Sequence, residues 1–301
     1  MADRRLQVFH AVAKHLSFTK AAEALFMTQP AVTFQIKQLE EHFNSRLFDR
    51  GHGRISLTPA GEIVLDYAER ILALSAELDT RLKEMTGQVA GPLLVGASTT
   101  IAEFLLPRIL GEFKGQFAKV SPRLFVANSE TVESRVAEHT LDIGLIEAPS
   151  HLATVLTEVV CEDELQVVCA VSHPLARLKS VTPKQLVQYP IISRESGSGT
   201  REVTDQYFQK AGIKPESLHV EMELGSPEAI KGLVATGLGF AILSRATVAK
   251  EIQLGQLVRI PLSPRLIRDF SVVYPKERFR SRLVNTFVQF AKERLAALQA
   301  D

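Results

Sequence analysis

Side chains able to bind an anion recur at the ends of apolar runs. Ser98, Thr99 and Thr100 follow one run, Ser129 a second and Glu147 a third; Ser196, Gly197, Ser198, Thr200 and Arg201 lie in the segment 193–201 (SRESGSGTR) that follows a fourth. All but Glu147 stand ahead of stretches with helical periodicity. The first N–H groups of a helix lack partners inside it and carry partial positive charge, glycines let a ligand approach the backbone, and an arginine adds a full cation. The chemistry this permits is recognition of a small anionic metabolite; an ordinary helix cap with a surface arginine would read the same. Ser226, ahead of Pro227 at a first helical position, repeats the arrangement as an N-cap.

These residues do not add up to a catalytic set. Ser196 and Ser198 would need a base that the sequence does not place beside them. No glycine fingerprint follows the first strand of this region, and no H-x-x-x-H or C-x-x-C spacing occurs. An α/β enzyme that holds a phosphorylated substrate on the loop 196–201 is therefore the alternative reading, and neither metal nor cofactor is expected.

A second chemistry gathers at the N-terminus. The net charge is only +1, but residues 1–60 hold eight Lys/Arg against five Asp/Glu, plus four histidines, while residues 61–90 hold six acids against three bases. A phosphate-binding surface belongs to the first of these segments. Gln29, Thr33, Gln35 and Lys37 there supply amide, hydroxyl and cationic groups suited to base edges and phosphates.

The elements that position these groups follow from periodicity. Leu6, Phe9, Val12 and Ala13 mark one amphipathic helix, and a second begins after the N-cap Ser17 and runs through Ala21, Ala22 and Leu25. A third starts at Thr28, tolerates Pro30 in its first turn, and continues through Val32, Ile36, Leu39 and Phe43. With Val32, Ile36 and Leu39 in a core, Gln29, Thr33, Gln35 and Lys37 fall largely on other faces. These are the proportions of a helix-turn-helix, which lays its last helix in the major groove; a plain three-helix bundle with a basic face fits the spacing as well. Residues 51–54 (GHGR) between two short extended segments read as a β-wing with Arg50, His52 and Arg54 at its tip, in reach of a backbone or minor groove.

From Pro59 to about Thr86 no breaker follows Gly61, and Val64, Ile71, Leu78 and Met85 recur every seventh residue with Tyr67 and Leu74 between them. A sustained heptad predicts pairing with a second helix, hence a dimer, over a length of about 40 Å. A long helix packed on its own domain is the alternative. The segment 87–92 (GQVAGP) then forms a hinge. Beyond it, strands are expected at 93–97, 124–127, 142–146, 165–171 and 190–193, alternating with helices such as 101–113 and 203–211. That order predicts a mostly parallel α/β sheet with ligands at the carboxyl ends of its strands. Cys161 and Cys169 sit in or beside an apolar run and read as core thiols ahead of redox sensors.

The run 17–25 (SFTKAAEAL), followed by 28–40 (TQPAVTFQIKQLE), 47–50 (LFDR) and 57–61 (LTPAG), closely resembles the winged helix-turn-helix of LysR-type transcriptional regulators. The resemblance implies an α/β chain in three parts. These are a winged helix-turn-helix DNA-binding domain at 1–58, a linker dimerisation helix and hinge at 59–90, and a two-lobed periplasmic-binding-protein-like effector domain at 91–301. Its first lobe would comprise about 91–161 and 267–301, its second about 162–266. Gln29, Pro30 and Thr33 would approach the DNA. Phe34 stands where many members carry a polar or basic residue, and serves either a thymine methyl or the fold. Residues 142–146 (DIGLI) and 237–239 (GLG) fit the effector domain, and 193–201 with 225–231 look most like members tied to sulfur assimilation or carbon fixation.

The partners implied are promoter DNA with an interrupted palindrome, a small anionic effector, a second copy in a dimer or dimer of dimers, and RNA polymerase. No apolar stretch approaches the ~18 residues of a membrane span, and the start MADRRLQVFH lacks a signal peptide's apolar segment. The expected location is the cytoplasm. A transported-solute binding protein would need that signal and would leave the first ninety residues without a role.

Overall fold

The computed structural model describes residues 3–51, 54–84, 89–276 and 280–300. Of the expected site residues, His52 and Met85 lie outside the described residues, as do the side chains of Arg50 and Arg54. The chain divides into two compact units, Met1–Gln88 and Val89–Asp301.

In the first unit, α1 (Arg4–His15), α2 (Phe18–Ala24) and α3 (Gln29–Phe43) close around Val8, Phe9, Val12, Ala21, Val32, Ile36 and Leu39, with Leu47 and Phe48 completing the core. The hydroxyls of Ser17 and Thr28 cap α2 and α3, accepting from the N–H groups of Lys20 and Ala31. Strands β1 (Phe48–Gly51) and β2 (Arg54–Leu57) pair antiparallel, with Arg50 opposite Ile55, as the wing.

The turn between α2 and α3 is a Schellman motif: the Met27 N–H donates to Ala22 O at 2.9 Å and the Phe26 N–H to Glu23 O at 3.2 Å. Its left-handed position, usually glycine or asparagine, is held by Phe26 at φ +53°, 98 % exposed. A left-handed L-residue costs about 1–2 kcal/mol, and a ring in solvent returns nothing. Phe26→Asn is therefore expected to stabilise this unit by about 1 kcal/mol, read as a higher denaturation midpoint; an unchanged or lower midpoint would show that the ring packs in solution.

Helix α4 (Pro59–Glu84) begins against the same core. A Cβ at Gly61 would run into the Leu47 carbonyl oxygen, so only glycine admits this approach. Ala68 is buried there, and Val64 and Leu65 are partly buried against the same cluster. Val64, expected on a pairing seam, is thus engaged by its own unit. Among the described side chains, the large apolar residues that α4 leaves exposed are Ile63, Tyr67, Ile71, Leu74, Leu78 and Leu82, a stripe at helical spacing that starts one residue before Val64.

The second unit runs β3 (Gly91–Ser98), α5 (Thr99–Phe104), α6 (Leu106–Gln116), β4 (Val120–Ala127), α7 (Ser129–Ala137), β5 (Ile143–Ile146), β6 (Val155–Ala170), α8 (Pro183–Leu186), β7 (Ile191–Arg194), α9 (Gly199–Lys210), β8 (Val220–Leu224), α10 (Pro227–Ala235), β9 (Phe240–Ser244), α11 (Ala249–Gln253), β10 (Leu257–Ile260), β11 (Leu266–Pro275) and α12 (Arg282–Ala300). The strands form one sheet in the order β4-β3-β5-β11-β6-β9-β7-β8, with β10 beside β6.

Two expectations need correction here. The sheet is mixed: β3–β4, β3–β5, β7–β8 and β7–β9 are parallel, but every pairing of β6 and of β11 is antiparallel. The helix expected at 101–113 is two helices broken at Leu105, because the ring of Pro107 cannot continue the turn begun at Glu103.

The long strands β6 and β11 pass between two lobes. At one end their side chains join the cluster of Leu93, Ile143, Phe270 and Phe287; at the other, Leu165 and Leu266 join that of Phe208, Phe240 and Ile260. Between these apolar ends, Asp163 and Arg268 face each other in register.

Candidate functional site

The carboxyl ends of β3, β5 and β7 bring the polar segments of the second unit together. Ser98 and Ser198 hold the N-cap positions of α5 and α9, yet neither caps its helix. Both hydroxyls are buried and without a hydrogen-bond partner. The other two helix starts differ. Asn128, rather than Ser129, caps α7 by accepting from the Thr131 N–H at 2.9 Å, and Ser226 caps α10 by accepting from the Ala229 N–H at 3.4 Å. Ser226 thus serves its own helix.

Buried Arg194, at the end of β7, donates to both carboxylate oxygens of Glu195 at 2.8 and 2.9 Å and to Thr99 Oγ1 at 3.4 Å, while its Nη1 has no partner. Unpaired buried donors cost about 1–3 kcal/mol each. Here two hydroxyls and a guanidinium N–H remain.

Glu147 ties the lobes together. Its Oε1 accepts from Thr100 Oγ1 at 3.2 Å in one lobe and from Thr200 Oγ1 at 3.0 Å in the other, and its N–H donates to Ser129 Oγ at 3.4 Å. Below it, Arg268 donates to Thr200 Oγ1 at 2.8 Å through Nη1 and to Asp163 through Nε at 2.8 Å, and lies 3.3 Å from Glu147. Ser244 donates to the second Asp163 oxygen at 2.7 Å. The Arg268, Glu147 and Asp163 side chains are 2 %, 1 % and 6 % exposed. Burial pushes the Asp163 carboxyl up, against the opposing pull of Arg268.

The remaining loop residues act differently from expectation. Arg201 is turned into ion pairs with Asp205 at 2.9 Å and Glu223 at 3.0 Å, and also donates to Arg194 O, so its charge is already answered. Ser196 and Gly197 contribute carbonyls that accept from Asn128 Nδ2 and the Glu130 N–H, both at 3.2 Å across the lobes, with Gly197 at φ +78°. The 550 Å³ cavity beside this loop is lined by Glu130, Glu133, Glu202 and Asp205 against Arg201 and His151. That surround is acidic and disfavours an anion at the mouth. Cys169 is fully buried and its thiol is pushed up to about 11 by burial, which removes the thiolate a redox sensor needs.

Arg194, Asp163 and Arg268 were not among the expected site residues. Arg194 lies within the segment 193–201 singled out above, and for Arg268 the sequence signal is a charge in the inward phase of a strand, since it alternates with Leu266 and Phe270.

In the first unit, Gln29, Pro30 and Lys37 are exposed on α3, with Thr33 and Gln35 half-buried. Gln29 Nε2 donates to Thr33 Oγ1 and that hydroxyl donates to Gln29 O, each at 3.0 Å. Lys37 lies 3.6 Å from Glu41. Phe34 is 57 % exposed.

Among the described residues no group of His, Cys, Asp or Glu could hold a metal ion, and no helix is long and apolar enough to cross a membrane.

Residues 4–62 match the bacterial regulatory helix-turn-helix protein family, lysR type, and residues 86–296 match the LysR substrate binding domain. A "Probable RuBisCO transcriptional regulator" of Porphyra purpurea is 35% identical, covering 95% of this chain and 91% of its own. A full-length cysteine-to-aspartate variant of OxyR from Pseudomonas aeruginosa shares the fold with a TM-score of 0.74 at 22% identity, over 98% of this chain and 94% of its own. The regulatory domain of CcmR from Synechocystis PCC6803, solved with 2-PG, aligns with a TM-score of 0.62 at 27% identity, over 67% of this chain and 96% of its own. With a helix-turn-helix ahead of a two-lobed ligand-binding unit and both family matches in that order, this chain belongs to the LysR family of transcriptional regulators.

Proposed function

We propose that the chain works in the cytoplasm as a dimer, or a dimer of dimers, on an interrupted palindromic promoter site. Its activity, and through it RNA polymerase, is set by a small carboxylate- or phosphate-bearing acid held between the lobes. The observation that carries this reading is the pair of N-cap serines, Ser98 and Ser198, whose buried hydroxyls cap nothing. An oxyanion between them would accept from both hydroxyls, from Arg194 Nη1 and from the free N–H groups that open α9. The 2-PG held by the CcmR regulatory domain supports this ligand class, and the names of the RuBisCO regulators support a target in carbon assimilation.

The contacts of Thr100 and Thr200 with Glu147 hold the lobes against each other. A ligand entering there shifts the balance between lobe arrangements only through unequal affinity for them. The test is calorimetric titration of the full chain with small acids, 2-PG among them. The acid that binds should lose on the order of a hundredfold or more in affinity in the Ser98→Ala/Ser198→Ala double variant, as expected for two hydrogen bonds to a charged group. Ser226→Ala should leave affinity unchanged. Full affinity in the double variant would place the site elsewhere.

A further inference from the structure

The exposed face of α3 offers DNA more carbon than hydrogen-bonding groups. Pro30, Thr33, Phe34 and Lys37 are neighbours at three- and four-residue spacing on this helix, away from the buried Val32, Ile36 and Leu39. Thr33 would ordinarily supply a hydroxyl to a base edge. Here that hydroxyl both donates to Gln29 O and accepts from Gln29 Nε2, each at 3.0 Å, so its proton and one lone pair are engaged within the helix, and it has no hydrogen to give a base edge; its methyl is the apolar group that it presents. Pro30 has no polar side-chain atom. Phe34 keeps 57 % of its surface in solvent, one turn beyond Pro30 and one turn before the cation of Lys37.

An aromatic ring exposed on the helix that enters the major groove gains from an apolar partner there, and the groove offers one: the thymine 5-methyl group is the only hydrocarbon substituent on any base edge. We propose that Phe34, backed by Pro30 and the Thr33 methyl, is a specificity-determining residue that reads a thymine methyl in each half-site, while Lys37 supplies phosphate affinity without sequence preference. Gln29 retains its Oε1 and one N–H for a neighbouring base edge. The position is thus an apolar reader.

The test uses the full chain and duplexes selected from a randomised library. Each thymine in the selected site is replaced in turn by deoxyuridine, which removes only the methyl. One thymine per half-site should weaken binding about fourfold on replacement, the worth of one buried methyl group. Phe34→Ala should bind thymine and uracil duplexes equally at that position, and Phe34→Leu should keep part of the difference. Lys37→Ala should weaken both duplexes alike and flatten the salt dependence. Circular dichroism of Phe34→Ala should match the parent, because the ring lies outside the core. Equal binding of thymine and uracil duplexes at every position by the parent, or undiminished discrimination in Phe34→Ala, would overturn the proposal. So would unaltered DNA binding in Phe34→Ala, which would assign the ring to a protein contact.

Discussion

Arg268→Met lowers the stability of the second unit by about 3–5 kcal/mol, because it strands the buried carboxylates of Glu147 and Asp163 without their cation. For a unit of this size that corresponds to a fall of roughly 10 °C in melting temperature. The loss carries a pH signature. Burial raises the Asp163 carboxyl and Arg268 pulls it back down. A carboxyl raised in the folded state contributes stability that is complete below its unfolded value of 3.8 and is lost as pH climbs through the folded value. Removing the arginine lifts the folded value further, so the variant regains stability on acidification and its deficit is smaller at pH 5 than at pH 8. Adding Asp163→Asn and Glu147→Gln to Arg268→Met should restore most of the loss at pH 8. A deficit that is constant with pH, or a triple variant as weak as the single, would show that the cluster acts through packing alone.

The second large effect concerns the stripe on α4. Leu74 and Leu78 are 65 % and 51 % exposed, on the part of the helix beyond its contact with the winged helix-turn-helix core. Apolar side chains at this spacing are stabilised by a matching stripe on another helix. Leu74→Asp with Leu78→Asp is expected to turn the proposed dimer into monomers in sedimentation. DNA affinity should fall on the order of a hundredfold or more, since two linked reading heads bind far more tightly than one. Val64→Asp should behave differently, lowering the stability of the first unit, because Val64 packs on that unit's core. A double variant that sediments as a dimer would remove α4 from the interface.

The contrast between Val64 and its neighbour shows where sequence reasoning reaches its limit. A seven-residue repeat locates an apolar stripe, but it cannot say which of two adjacent stripes is covered by the helix's own domain; only the close approach at Gly61 decides that Val64 turns inward and Ile63 outward. The first unit was otherwise legible, since its caps at Ser17 and Thr28 and its buried Val32, Ile36 and Leu39 are local features. The second unit was legible in its hydroxyl segments and in most strands. That Ser98 and Ser198 leave their helices uncapped was less so, because whether a serine caps its helix is a matter of rotamer and not of residue type. Arg268 and Asp163 were missed for another reason. Their partnership spans 105 residues and arises from the antiparallel register of β6 and β11, which no local window displays.

That crossing of β6 and β11 also bears on how the chain is made. The core of the first lobe contains Leu93, Val95 and Ile109 from early in the unit together with Phe270, Val272, Leu283, Phe287 and Leu295 from its end. The second lobe is assembled mainly from the intervening stretch, with Leu175, Leu186, Phe208, Phe240 and Ile260 in its core. During synthesis the second lobe has its residues in hand first, whereas the first lobe keeps an open apolar face until α12 leaves the ribosome. Domains form as their chain becomes available, and long-range pairings form slowly. The lobe that begins first in the sequence is therefore expected to be completed last, and the interval before β11 inserts is when its apolar face is open to aggregation.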